Sequence, residues 1–183
     1  AFNNPMRFEI VTTNCRTGYA EYHTECRDRN RLLTLCKASA ALPFVAPICP
    51  LDGVPMLDGG ITDPIPVERA ISQGFAHNVV VLTHNRGYRD AGSDVRMPKF
   101  VYKNYPRLRV ALSHLKRVYN AHIELVEQLE AAGKVLLICP EKPLEVDRFG
   151  TRIDQLEALY EEGYACAERI FSQPQTQRFL AGE

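Results

Sequence analysis

Residues 56–66 read Met-Leu-Asp-Gly-Gly-Ile-Thr-Asp-Pro-Ile-Pro, and the interpretation of the whole chain starts from them. The apolar residues before Asp58 predict a strand. Gly59 and Gly60 allow the backbone to turn sharply beside the carboxylate, because glycine has no Cβ. Since α/β proteins place their functional groups at strand ends, Asp58 is the principal candidate site residue. The alternative is that Asp-Gly-Gly is simply a turn, because Asp and Gly are common turn formers.

The residues before Asp58 predict a hairpin, a helix and a second hairpin. Residues 7–15 are rich in β-formers, and residues 19–25 follow a turn and can pair with them. The apolar spacing of residues 31–41 predicts a helix that ends before Pro43. Short extended pieces on either side of an Asp52-Gly53 turn then lead to Asp58.

The residues after Asp58 alternate between helical and strand patterns. Asp63-Pro64 predicts a helix start, with the helix running to about residue 73. The apolar runs 78–83 and 134–139 are typical of strands buried on both faces. Between them, residues 107–132 predict one long amphipathic helix. This alternation predicts an α/β fold with parallel pairing.

The last helix is predicted from a capping box and an apolar stripe. Thr151-x-x-Asp154 resembles the capping box that opens a helix. The stripe that follows has helical spacing and comprises Ile153, Leu156, Tyr160, Tyr164, Ala167 and Phe171. Residues 174–183 form a polar tail, so we place the domain at residues 1–173.

Composition excludes several classes of protein. The chain has 183 residues, of which 45% are hydrophobic and 24% charged, as in globular proteins. Lys plus Arg and Asp plus Glu number 22 each, so charge predicts no nucleic-acid partner. Six scattered cysteines suit free thiols in a reducing cytosol. A zinc site built on Cys15, His23 and Cys26 is disfavoured, because no second ligand pair has suitable spacing. We expect no metal and no cofactor.

The order of several segments resembles the patatin-like phospholipases. Residues 37–44, Lys-Ala-Ser-Ala-Ala-Leu-Pro-Phe, precede the second hairpin and the Asp-Gly-Gly strand end, as they do in that family. A Pro-Val pair at 66–67 and a valine-rich strand at 79–81 follow in the family's order. Residues 8–18, 139–141 and 159–164 are also similar, the last two to the bacterial branch.

This resemblance implies a three-layer patatin-like fold, related to the α/β hydrolases, and a serine lipid acyl hydrolase. Such enzymes cleave carboxylic esters through a Ser-Asp dyad without the usual histidine. Asp58 matches the dyad aspartate, and Gly59 and Gly60 would let the serine approach it. Ser39 matches a position that lines or supports the site. A serine hydroxyl is a weak nucleophile until a base removes its proton, and the carboxylate would accept this proton directly.

The nucleophile of that dyad is missing from this chain. The family serine lies in a Gly-x-Ser-x-Gly elbow, and the oxyanion hole is a glycine-rich loop, both upstream of this region. None of the five serines has such a context: Ser39, Ser72, Ser93, Ser113 and Ser172. We therefore interpret the chain as the C-terminal portion of a patatin-like enzyme whose early strands are missing. A non-catalytic α/β binding or regulatory module is the alternative.

Further features carry weaker expectations. His84 follows a predicted strand and is a candidate substrate contact. Residues 85–117 contain nine basic and two acidic residues, interleaved with aromatics. This segment suits either lipid phosphates and a membrane surface or, as we favour, a solvated face.

The expected partners follow from the same interpretation. They are a lipid or small ester substrate, the missing N-terminal part of the same protein, and further copies of the chain through its unpaired sheet edge. The predicted location is cytoplasmic, with peripheral membrane contact as a second expectation.

Overall fold

A computed structural model describes residues 6–92, 97–143 and 152–182. The described residues form a mixed α/β structure that divides into two compact units. The first unit comprises residues 1–66 and 90–122, and the second comprises residues 67–89 and 123–183.

The first unit is built on a four-stranded antiparallel sheet in the order β2-β1-β4-β3. Its strands are β1 (Glu9–Asn14), β2 (Ala20–Thr24), β3 (Cys49–Leu51) and β4 (Val54–Asp58). Both predicted hairpins are confirmed. Asp52 and Gly53 join β3 to β4 with φ values of 50° and 79°, which Asp and Gly tolerate better than most residues.

Helices pack around this sheet to form the core of the first unit. Helix α1 (Arg29–Ser39) begins at Asp28, whose side chain caps the backbone N–H groups of Asn30 and Arg31. It buries Leu35 and Ala38 beside residues of β1, β3 and β4. Helix α3 (Pro106–Ser113) buries Leu108 and Leu112 in a second cluster. That cluster also contains Leu57 and Ile61, the residues on either side of Asp58-Gly59-Gly60.

The long helix predicted for residues 107–132 is interrupted once. Helix α3 ends at Ser113, and α4 runs over Leu115–Ala131. The Ser113 hydroxyl donates to the Val110 carbonyl at 2.7 Å, and the His114 N–H donates to the Ala111 carbonyl at 3.0 Å. These bonds three residues back tighten the turn and replace the regular α-helical pattern at His114.

The second unit contains a parallel pair of strands, as the sequence predicts. Strands β5 (Asn78–Val81) and β6 (Val135–Ile138) pair directly, from Asn78 opposite Val135 to Val81 opposite Ile138. The described helices wholly within this unit are α2 (Val67–Ser72), α5 (Ile153–Phe171) and α6 (Pro174–Ala181). The polar tail therefore contains a helix. Thr151 of the predicted capping box lies outside the described residues.

The predicted start of α2 at Asp63 is wrong. The helix begins at Val67 because Ile65 precedes Pro66, and a residue before proline is driven out of the α-helical region. The predicted end is confirmed, since Gly74 follows the helix with a φ of 92°.

Burial in the second unit differs from the prediction. Strand β6 is largely buried, but Val79 and Val81 of β5 are 42% and 67% exposed. The apolar stripe of α5 also faces solvent, with Tyr160 and Tyr164 exposed by 68% and 63%. The exposed face of β5 and the exposed stripe of α5 are therefore rich in apolar and aromatic residues of the kind usually found in a protein core. No described helix is long and apolar enough to cross a membrane.

The turn after β4 depends on a close approach between Gly59 and β1. A Cβ atom on Gly59 would lie 2.6 Å from the Val11 carbonyl carbon and 2.8 Å from the Val11 Cβ. A Cβ on Gly60 would meet only the Asp58 side chain, with its nearest carboxylate oxygen at 3.2 Å. The two adjacent glycines therefore differ in what they tolerate.

We predict that Gly59→Ala lowers the free energy of unfolding by about 1–3 kcal/mol. The new Cβ would overlap the carbonyl and Cβ of Val11, and the backbone of β1 would have to move to accommodate it. Gly60→Ala is the matched control and should cost about 0.5 kcal/mol or less, since Gly60 is exposed and Asp58 is a side-chain neighbour. Urea titration of the two variants measures this. Equal losses would contradict the assigned packing.

We also predict that the isolated chain self-associates through the exposed stripe of α5. Tyr160→Glu with Tyr164→Glu should shift light scattering toward monomer, because charge opposes apolar association. Ala158→Glu with Ala165→Glu adds the same charge to exposed positions on the other side of the helix and should leave association unchanged. A monomeric native chain would contradict the prediction.

Candidate functional site

Asp58 is held at the end of β4 by its backbone. Its N–H donates to the Ala41 carbonyl at 3.0 Å, and its carbonyl accepts the Thr13 hydroxyl at 2.7 Å. Thr13 is fully buried in β1, whose Thr12 lies opposite Asp58 in the antiparallel register. Because the Thr13 proton is used on Asp58, the Thr62 hydroxyl donates to Thr13, at 2.9 Å.

The Asp58 carboxylate is oriented by the turn that follows it. Its Oδ1 accepts the Gly60 N–H at 2.8 Å, and residues Gly59–Ile61 form a single 3-10 turn. This hydrogen bond fixes the side chain toward the turn. A partly exposed carboxylate in a fixed orientation is suited to accept a proton or to pair with a cation.

A cavity of about 450 Å³ opens beside Asp58 in the first unit. Ser39 at the end of α1, Asp58, Gly59 and Gly60 all line it, so four of the predicted site residues meet. The remaining lining residues are Phe8, Glu9, Ile10, Val11, Cys36, Ala40, Asp63, Pro64 and Pro66. A cavity of this size suits a small ligand or one end of a larger one.

His84 is positioned differently from the other predicted residues. It lies in the second unit, just after β5, and the residues lining the cavity do not include it. Its ring stacks on Tyr88 with centroids 3.9 Å apart and planes at 8°. Both rings of this contact belong to the second unit.

Asp63 is a further carboxylate in the cavity besides Asp58 and Glu9, and the sequence predicted only a capping role for it. The Tyr22 hydroxyl donates to its Oδ2 at 2.5 Å, and His122 Nδ1 lies 3.5 Å from its Oδ1. His122 Nδ1 also bonds the Ile65 carbonyl at 3.2 Å, which requires the proton on that nitrogen. These contacts fix residues 63–65 beside Asp58.

The other described serines are engaged with their own helices. The hydroxyls of Ser72, Ser113 and Ser172 each donate to the carbonyl three residues earlier, at 2.8, 2.7 and 2.9 Å. Ser93 lies outside the described residues. Ser39 is thus the one described serine that lines the cavity with Asp58.

The residues of the disfavoured zinc alternative have other surroundings. Burial raises the pKa of the Cys15 thiol to about 11, and Cys26 is exposed. His23 Nε2 lies 2.8 Å from the Thr12 hydroxyl, and burial lowers the pKa of this histidine. Within the part of the chain that the structure describes, no three His, Cys, Asp or Glu side chains cluster as metal ligands.

Comparison with known proteins gives two matches. Residues 105–177 match a family described as a domain of unknown function (DUF6363). The chain is also 27% identical over 176 residues to the uncharacterized protein YjjU of Escherichia coli (strain K12). The match covers 88% of this chain and 49% of YjjU, so the chain spans about half the length of the curated relative it matches.

Proposed function

We propose that this chain supplies the general base of a serine lipid acyl hydrolase of the patatin-like type. The observation that carries the proposal is the cavity in which Asp58 and Gly59-Gly60 meet Ser39. These are the positions that the family resemblance assigns to the site. The nucleophile serine and the oxyanion loop would come from the N-terminal part of the same protein.

The proposed reaction uses Asp58 twice. The incoming serine hydroxyl attacks the ester carbonyl while Asp58 accepts its proton, and the proton then passes to the departing alcohol. Water hydrolyses the acyl-enzyme in the second half-reaction: Asp58 takes a water proton and returns it to the serine. Gly59 and Gly60 leave the carboxylate uncrowded by side chains from the turn.

The finer fold assignment and the location belong to this proposal. A patatin-like three-layer arrangement requires further strands, and the exposed faces of β5 and α5 are apolar enough to pack against an added part. The twofold greater length of YjjU supports the existence of such a part. We place the whole enzyme in the cytoplasm, with peripheral contact at a membrane as its route to lipid.

The second candidate function is a non-catalytic binding or regulatory module. The hydrogen bond from the Gly60 N–H to the Asp58 carboxylate favours this second function. An aspartate that stabilises a turn in this way needs no catalytic role to account for its position before two glycines. The two candidates differ in whether the charge of Asp58 is needed.

Asp58→Asn separates these functions. Asparagine retains an oxygen that accepts the Gly60 N–H, but it is no longer a base. In the full-length protein, we expect hydrolysis of short-chain nitrophenyl esters to fall by roughly 10²–10⁴-fold with unchanged thermal stability.

Asp52→Asn is the matched control, because it alters the other Asp-Gly turn of the same sheet. It should retain native turnover. Ser39→Ala should also retain most activity if Ser39 supports the site. Full activity in Asp58→Asn would eliminate the hydrolase proposal, and abolished activity in Ser39→Ala would move the nucleophile into this chain.

Thr13 is proposed as a positioning residue for Asp58, since its hydroxyl bonds the Asp58 carbonyl inside the core. Thr13→Val keeps the shape and removes the bond, and we expect kcat to fall about tenfold or more with little change in KM. The free energy of unfolding should fall by about 1–3 kcal/mol. Thr13→Ser restores the hydroxyl and should rescue kcat; failure of this rescue would assign Thr13 a packing role only.

A further inference from the structure

The structure sorts the basic residues of segment 85–117 by their partners. In the second unit, Arg86 and Arg89 form ion pairs with Glu130 and Glu127, each at 2.5 Å. In the first unit, Arg109 donates to three loop carbonyls, those of Met97, Pro98 and Val101. Lys116 donates to the Gly92 carbonyl at 2.9 Å. These four side chains are engaged with carboxylates and carbonyls of the protein. We therefore do not assign them to a surface that binds anionic membranes. Arg96 lies outside the described residues.

Two other arginines of the segment meet at a second cavity of the first unit. This cavity measures about 550 Å³ and is lined by Arg107, His114 and Arg117 from α3, α4 and the residue between them. All three line the same cavity although the helix is interrupted at His114. None of the described residues lining the cavity is acidic, and neither arginine forms an ion pair within the described part of the chain.

The rest of the cavity is mainly apolar, with Thr17, Tyr19 and Thr62 as its polar members. Its other lining residues are Thr17, Gly18, Tyr19, Ile61, Thr62, Val110, Ala111 and Val118. Gly18 has a φ of 69°, and a Cβ there would lie 2.7 Å from the Arg107 carbonyl oxygen. The turn at residues 17–19 therefore contacts the backbone at the start of α3. This contact fixes the base of the Arg107 side chain relative to the threonine hydroxyl of the turn.

The turn after β4 contributes lining residues to both cavities. Gly59 and Gly60 line the cavity of Asp58, and Ile61 and Thr62 line the arginine cavity. Thr62 also donates to Thr13, which holds the Asp58 carbonyl. Successive residues of the turn that presents the candidate base therefore line the two cavities.

We propose that the cavity of Arg107, His114 and Arg117 binds a phosphate-bearing anion. Guanidinium groups donate paired hydrogen bonds that match the oxygens of a phosphate, and the imidazole and the Thr17 hydroxyl add further donors. Net positive charge without a neighbouring carboxylate attracts an anion to this cavity. A soluble phosphate ester and a phospholipid headgroup present the same group. The inference does not depend on the proposed hydrolase activity.

Binding to the intact protein tests this site directly. The soluble probes are inorganic phosphate and glycerol 3-phosphate, measured by calorimetry. The membrane probe is a phosphatidylcholine vesicle with or without phosphatidic acid, measured by co-sedimentation. We expect Arg107→Ala with Arg117→Ala to weaken saturable binding by roughly tenfold or more, since bonds to charged groups are lost. Arg107→Lys with Arg117→Lys keeps the charge but loses the paired geometry and should show an intermediate loss.

The matched control is Lys99→Ala with Lys103→Ala, which removes two exposed charges from the same unit outside the cavity. It should change binding by less than about twofold, as expected for screened surface charges. Binding of the soluble esters identifies a metabolite-type ligand, and binding of phosphatidic acid vesicles alone identifies a headgroup. No saturable binding of any probe by the native protein would overturn the proposal. An equal loss of binding in the Arg107→Ala/Arg117→Ala variant and in the Lys99→Ala/Lys103→Ala control would also overturn it.

Discussion

The hydrogen bond from the Thr13 hydroxyl to the Asp58 carbonyl is the contact on which the candidate site depends. It joins the C-terminal part of β1 to the end of β4 at 2.7 Å, and Thr62 completes the network from the turn. A hydroxyl that is fully buried must be bonded, so the network also fixes where the turn can lie. Gly59 then packs on the Val11 backbone, and the carboxylate of Asp58 faces the cavity. The same turn lines the arginine cavity through Ile61 and Thr62.

The local elements of the fold were largely predictable, because turn chemistry and periodicity act over a few residues. Asp52-Gly53 specifies a tight turn, and the run 134–139 specifies a buried strand. The start of α2 was mispredicted because the restriction imposed by Pro66 on Ile65 outweighs the capping preference of Asp63. The break at His114 arises from a serine hydroxyl that competes for a helix carbonyl.

The site was only partly predictable. Asp58 and its glycines follow from a local pattern, and Ser39 follows from a family resemblance. Thr13 and Tyr22 act through contacts 45 and 41 residues away, with Asp58 and Asp63 respectively, and no local pattern marks such pairs. Burial was mispredicted for β5, and the apolar stripe of α5 is exposed, because periodicity identifies an apolar face without identifying what covers it. The exposed faces agree with the proposal that a further part of the protein packs on them.

We propose that Asp58 is the base of a dyad whose serine lies in the N-terminal part of the protein. A fluorophosphonate probe, which reacts with activated serines, tests this when it is applied to the full-length enzyme and the labelled peptide is identified by mass spectrometry. We expect one labelled serine outside the 183 residues of this chain, with labelling lost in Asp58→Asn. Labelling of Ser39, or labelling that persists without the Asp58 carboxylate, would contradict it.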